Sequence, residues 1–282
     1  MHDDTGFKEV DWLIAHRSDP RLRIVDARSI PHGGTVAMPS GREQYAAGHL
    51  PGAVHLDYGD DLSDPATPYA TRVAPAKRFA DVLGARGIGD DAVVIAYDAG
   101  TIPFAARLVW MLRYYGHAEA YVLAGGIAAW SASGQPLETA VPTTLPATFH
   151  PREDPALRAT RAEVEAIVAG TLDEQLVETQ RDQTYAQRDR DIPRAVRLSG
   201  SLLLEDTRGG RIADGATLDR LVASAGLDRH KRTVVSCGSG VSASGAWLAL
   251  RAAGFDDVAV YDGSWMEWSH DGLPTVQKPS DR

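Results

Sequence analysis

The chain has 282 residues, of which 44% are hydrophobic and 24% charged, with 27 glycines and 16 prolines. That is the composition of a globular protein long enough for two domains of about 140 residues each, and it excludes collagen-like, coiled-coil and disordered chains. A net charge of −9 excludes a general nucleic-acid binder, which needs a basic footprint, but leaves room for a small anionic substrate in a locally positive pocket.

Residues 1–10, M-H-D-D-T-G-F-K-E-V, are polar and acidic, with no basic stretch leading into an apolar one. No secretory leader is therefore expected, and the expected compartment is the cytoplasm. No apolar run approaches the roughly 18–20 residues that span a bilayer. Four short motifs follow in order: I-V-D-A-R from Ile24, H-L-P-G-A-V at 49–54, V-V-I-A-Y-D-A-G at 93–100 and V-L-A-G-G-I-A-A-W at 122–130. Val93–Tyr97 reads as a buried parallel strand, and Ala105–Tyr115 as a helix ended by Gly116.

Residues 138–158 hold four prolines and four threonines with no apolar period, the pattern of a linker. Beyond it the series recurs: L-V-E-T-Q from Leu176, D-I-P-R-A-V at 191–196, V-V-S-C-G-S-G at 234–240 and V-Y-D-G-S-W-M-E-W at 260–268. The offsets between copies fall from 152 (Ile24 to Leu176) to 142 and then about 139 and 138, so the second copy has a first connecting loop about ten residues shorter. Such ordered recurrence marks a duplicated unit. The expected organisation is one α/β domain over 1–140, a linker over 141–158 and a second domain over 159–282, each a parallel sheet flanked by helices.

One cysteine, Cys237, cannot form an internal disulfide or a cysteine-rich zinc site. It is either a buried filler or a reactive thiol. Strand Thr233–Ser236 runs into C-G-S-G-V-S (237–242) and then a helix over Ser242–Ala253 that stops at Gly254. The glycines let the loop turn its N–H groups inward, and the following helix adds the positive end of its dipole. Such a ring stabilises an anion, and ligand sites in parallel sheets lie at these strand ends. The first copy has Asp98 at the corresponding place. A charged residue there argues against apolar core, and leaves thiol chemistry to one copy.

These residues resemble the two-domain rhodanese-like sulfurtransferases, through I-V-D-A-R, G-H-L-P-G-A-V, C-G-S-G-V-S-A and Y-D-G-S-W-M-E-W, over nearly the whole chain. The loop is similar to that of the 3-mercaptopyruvate sulfurtransferases. The resemblance implies a catalytically silent first domain and a Cys237 that takes sulfur from a small anionic donor, 3-mercaptopyruvate or thiosulfate. The persulfide then passes the sulfur to cyanide or a thiol, a thioredoxin-like protein included, with no cofactor, no metal, no nucleic acid and no membrane. It also implies a relay between Ser239 and His49, and donor contacts from Gly238, Gly240, Val241 and Ser242.

The chain departs from the family where V-E-T-Q-R-D-Q-T-Y (177–185) places Thr184 at the position of a donor-binding arginine, and where D-I-P-R-A replaces H-[IL]-P-G-A. Arg181, Arg188, Arg190, Arg194 and Arg197 remain on the shortened segment; any of them can substitute, and Arg194 is counted among the donor-binding residues. Tyr261, Trp265, Trp268 and Trp247 read as core packing, and His230 and His270 have no metal spacing. A cysteine phosphatase would need an arginine six residues after the cysteine, where Ala243 stands. A sulfur carrier with weakened donor binding is the remaining alternative.

Overall fold

The computed structural model describes residues 6–29, 39–69, 71–204 and 211–278; the first five residues of the polar N-terminal stretch lie outside them. The chain divides into two compact units. One comprises Met1–Ala66, Val73–Asp154 and Asp206–Arg211, the other Thr67–Arg72, Pro155–Glu205 and Ile212–Arg282. The short piece Thr67–Arg72 belongs to the second unit although it lies within the first sequence copy.

In the first unit the elements are β1 (Phe7–Lys8), α1 (Val10–His16), β2 (Leu22–Asp26), α2 (Gly41–Ala47), β3 (Val54–His55), α3 (Ala76–Ala85), β4 (Val93–Tyr97), α4 (Pro103–Tyr114), β5 (Ala120–Leu123) and α5 (Gly126–Ala132). The second contains β6 (Arg158–Ala159), α6 (Arg161–Ala169), β7 (Gln175–Glu178), α7 (Asp182–Tyr185), β8 (Arg190–Asp191), β9 (Val196–Arg197), α8 (Gly200–Leu203), α9 (Gly215–Ser224), β10 (Thr233–Ser236), α10 (Val241–Ala252), β11 (Val258–Tyr261), α11 (Ser264–His270) and β12 (Val276–Gln277).

Among the described residues the first sheet runs β1-β5-β4-β2-β3 and the second β6-β11-β10-β7-β9, the same order strand for strand. All pairings within the two sheets are parallel. Parallel strands covered on both faces read as near-continuous apolar runs, and Val93–Tyr97 is buried at every position, as is Thr233–Ser236. Register aligns Asp26 with Tyr97 in the first sheet and Glu178 with Ser236 in the second. In each unit an acid therefore closes one central strand while Asp98 or Cys237 follows the next.

The expected helices are present one or two residues earlier than read, as α4 and α10, with Gly116 and Gly254 in the left-handed region after them. Both helices are buried on nearly all faces. Trp247 is 1% exposed and its indole N–H donates to Val258 O at 2.9 Å. Tyr261 on β11 and Trp268 on α11 lie in the core, while Trp265 is only partly buried against it.

The proline-rich stretch read as a linker has almost no regular structure, yet its backbone is committed to the first unit. Ala147 N–H donates to Gly84 O, Arg152 N–H to Tyr115 O and Asp154 N–H to Tyr114 O, while Asp90 N–H donates to Thr148 O. Phe149 is 5% exposed. Composition shows that such a segment cannot be a helix or strand, but not that it is packed. No helix among the described residues is long and apolar enough to cross a membrane.

Candidate active site

Each unit presents the same device: a central strand, a tight loop, and a helix whose N-cap residue has positive φ. In the first unit the loop closes on itself. Asp98 is 2% exposed, and its Oδ1 accepts N–H bonds from Gly100, Thr101 and Ile102 at 2.9, 2.9 and 3.0 Å. Its Oδ2 receives Ala105 N–H at 3.4 Å. Backbone donors and the start of α4 thus surround a carboxylate that the chain itself supplies.

In the second unit Cys237 replaces that acid, is free and is 1% exposed. Gly240 caps α10 with φ 81°, which aims its N–H at Cys237 Sγ at 3.1 Å. The equivalent cap in the first unit is Ile102, at φ 76°, whose N–H reaches Asp98 Oδ1. The same donor therefore serves an oxygen in one unit and a sulfur in the other. Gly238 lies against the Gln180 amide, whose Nε2 is 3.2 Å from where a Cβ on Gly238 would fall.

A further link holds the cysteine from the other side. Cys237 N–H donates to Ser264 Oγ at 3.1 Å, and that hydroxyl donates to Tyr261 O at 2.8 Å. Trp265 and Met266 N–H groups bind Cys237 O and Gly238 O at 3.0 and 2.9 Å. Ser264 adopts φ 50°, a conformation that costs a non-glycine residue about 1–2 kcal/mol. Its counterpart is Gly126, φ 55°. The thiol-bearing unit thus tolerates strain to place a hydroxyl on the cysteine backbone. A serine at a repeat position held by glycine was the sequence signal for this contact.

Behind the loop, Glu178 is fully buried, and burial pushes its carboxyl up to about 7. Arg188 Nη2 reaches Glu178 Oε2 at 2.5 Å and Asp191 Oδ1 at 2.9 Å. Its guanidinium lies 4.9 Å from the Tyr185 ring centre and 4.5 Å from that of Trp265. In the first unit Arg28 performs this duty for Asp26, with contacts at 3.0 and 2.5 Å. Gln180 stands where Arg28 recurs, so a buried acid lost its nearby cation and Arg188, ten residues on, supplies it.

Several expectations change. The Arg194 guanidinium lies beside Gly170, before the amino end of β7, whereas Cys237 follows the carboxyl end of neighbouring β10, so the structure does not bring the two together. His49 is fully buried in the first unit. Its Nδ1 and Nε2 face Tyr45 O at 2.9 Å and Ala140 O at 3.2 Å, and its ring stacks on Tyr45. Those contacts fit a histidine that holds its own motif in place. The acid near it is Glu138 at 3.9 Å. Glu43 instead completes the capping box of α2 with Ser40. Ser239, Gly238 and Ser242 are half-buried around the loop, whereas Gly240 and Val241 are buried. Thr184 is exposed on α7, its hydroxyl bound to Arg181 O at 3.1 Å. Arg197 pairs with Asp182 at 2.6 Å and Arg190 with Thr275. Among the described residues no group of His, Cys, Asp or Glu is placed to hold a metal.

A family model described as a rhodanese-like domain matches residues 9–133 and 160–271. The 3-mercaptopyruvate sulfurtransferase of Escherichia coli K12 is 30% identical over 270 residues, 94% of this chain and 95% of that protein. The thiosulfate sulfurtransferase of Bos taurus is 31% identical over 279 residues, 93% and 91% of the two chains. Among solved structures, SseA from Escherichia coli, presented with the rhodanese fold, matches with a TM-score of 0.84 at 29% identity, covering 92% of this chain and 98% of its own. The anaerobic ergothioneine biosynthesis enzyme of Chlorobium limicola shares the fold at a TM-score of 0.80 and 21% identity. The chain belongs to the rhodanese-like family, as a tandem-domain sulfurtransferase.

Proposed function

We propose that Cys237 is the sulfur-carrying nucleophile and that 3-mercaptopyruvate is the preferred donor, with thiosulfate second. The supporting observation is the Gly240 N–H directed at Cys237 Sγ, in a loop whose counterpart already encloses an anion. In the first half-reaction the Cys237 thiolate attacks the donor sulfur. An S–S bond forms as the C–S bond breaks, the electron pair leaves on carbon, and a proton completes pyruvate. With thiosulfate the S–S bond to sulfite breaks instead, and sulfite leaves with the pair. Cyanide or a thiolate then attacks the outer sulfur and regenerates the Cys237 thiolate, which gives ping-pong kinetics.

The outer sulfur of a persulfide lies two bonds from Cβ, as a carboxylate oxygen does. Asp98 Oδ1 therefore marks the place such a sulfur would take, within reach of the amides between Gly238 and Ser242. Ser239 borders this space and is the candidate hydroxyl for the leaving group. The preference for the monoanionic donor rests on charge: the loop itself carries no cation, and Arg188 is spoken for by two carboxylates. A single free thiol working with thiol acceptors, a thioredoxin-like protein among them, suits a reducing compartment, the cytoplasm. A non-catalytic sulfur carrier is the second reading, favoured by Thr184 at the family's arginine position.

The test is steady-state release of pyruvate from 3-mercaptopyruvate and of sulfite from thiosulfate, with cyanide as acceptor and Cys237→Ser beside the wild type. Pyruvate release that the variant abolishes supports the proposal. Single-sulfur uptake without turnover would favour the carrier.

A further inference from the structure

The piece Thr67–Arg72 comes from the first sequence copy but belongs structurally to the cysteine-bearing unit. Three side chains fix it there. Tyr69 OH donates to Asp271 Oδ1 at 2.5 Å, and Arg72 donates twice to Glu267 Oε1, at 2.9 and 2.8 Å, against a carboxylate only 6% exposed. Between them Thr71, 3% exposed, donates its hydroxyl to Ser239 O at 2.6 Å.

That carbonyl shares a peptide unit with the Gly240 N–H. In a planar trans peptide the two point in opposite directions, so whatever holds the Ser239 oxygen also sets the heading of the Gly240 hydrogen. One face of this peptide meets Thr71; the other meets Cys237 Sγ at 3.1 Å. A bond to the carbonyl also polarises the amide and strengthens its N–H as a donor. Nothing else described on the Ser239–Gly240 peptide would keep it from rotating, because Gly240 at φ 81° has wide backbone freedom.

We infer that Thr71 is a positioning residue for the sulfur chemistry: through the Ser239 carbonyl it orients the Gly240 N–H toward Cys237 Sγ. The inference rests on Cys237 being the nucleophile. It assigns a second task to an element that the repeat pattern places in the other domain, and makes the cysteine loop dependent on a hydroxyl far away in sequence.

Thr71→Val keeps the shape and removes only the hydroxyl, while Thr71→Ser keeps the hydroxyl and removes a methyl. The two are compared with wild type by alkylation of Cys237 with iodoacetamide and by kcat and KM with 3-mercaptopyruvate or thiosulfate, well below the thermal midpoint of each variant. Loss of one hydrogen bond of this kind corresponds to about a tenfold effect. The expected result is alkylation and kcat about tenfold slower in the valine variant, with donor KM within about twofold of wild type, and recovery in the serine variant. Wild-type alkylation and kcat in Thr71→Val overturn the inference, as does equal loss in both variants, since the hydroxyl would then not be the agent. Failure of the nucleophile reading is seen separately: Cys237→Ser would retain turnover whatever Thr71 does.

Discussion

Asp98→Ala removes the acid around which the first unit's loop is built, and its cost can be worked from the contacts. Three N–H groups lie at 2.9–3.0 Å from one carboxylate oxygen and a fourth at 3.4 Å from the other, all at a site 2% exposed. A hydrogen bond to a charged group contributes about 1.5–3 kcal/mol, and an orphaned buried donor costs about 1–3 kcal/mol. Water entering the space left by the carboxylate recovers part of this. The net expectation is a loss of about 3–5 kcal/mol, a large share of the stability of a domain this size. Asp98→Asn keeps an acceptor oxygen and loses about 1–2 kcal/mol. Hydrogen exchange of the β4 amides through a urea series reads the first unit separately from the second, which matters because a two-unit chain need not unfold in one step. An alanine variant within about 1 kcal/mol of wild type would refute the claim that this loop is an anion cradle, and with it the analogy to Cys237.

Two further outcomes concern Arg194 and Glu178. Arg194 adopts φ 64° where the first copy has Gly52 at 78°, so Arg194→Gly relieves strain and is expected to stabilise the second unit by about 0.5–1 kcal/mol, net of glycine's unfolded-state entropy, with turnover unchanged; a fall in kcat would return Arg194 to the site. Glu178, raised to about 7 by burial, holds a proton in the folded chain at pH values where the unfolded chain has released it. Its contribution to stability therefore declines as pH rises from about 4.5 to 7. Urea midpoints across that window are expected to fall more steeply for wild type than for Glu178→Gln, and parallel curves would contradict the assignment.

The fold was legible because it rests on patterns that period and punctuation reveal. Val93–Tyr97 and Thr233–Ser236 are short runs centred on β-branched apolar residues and buried at every position, each ends in a small-residue loop, and each following helix stops at a glycine. The duplication was legible because four motifs recur in order, and the identical strand orders are its structural counterpart. Cys237 stood out as the single thiol at the end of such a strand. What surrounds it was less visible. Ser264 and Thr71 act through one hydroxyl each, and no spacing marks a side chain that meets a backbone atom 168 residues away. Arg188 was one of five arginines on a charged segment. Only the pairing of a buried Glu178 with Gln180, where the first copy pairs Asp26 with Arg28, distinguishes it. The surroundings of Arg194 and His49 were not legible either, since a motif position carries no information on where a long side chain ends or which carbonyls surround a ring.

The central claim is that Cys237 takes up a single sulfur atom in the amide-lined loop. Intact-mass measurement after one equivalent of 3-mercaptopyruvate or thiosulfate, with no acceptor present, tests it most directly. The expected spectrum gains the mass of one sulfur per chain, lost on adding cyanide and absent in Cys237→Ser. An unshifted wild-type mass with both donors, or a sulfur that Cys237→Ser also takes up, would contradict the account.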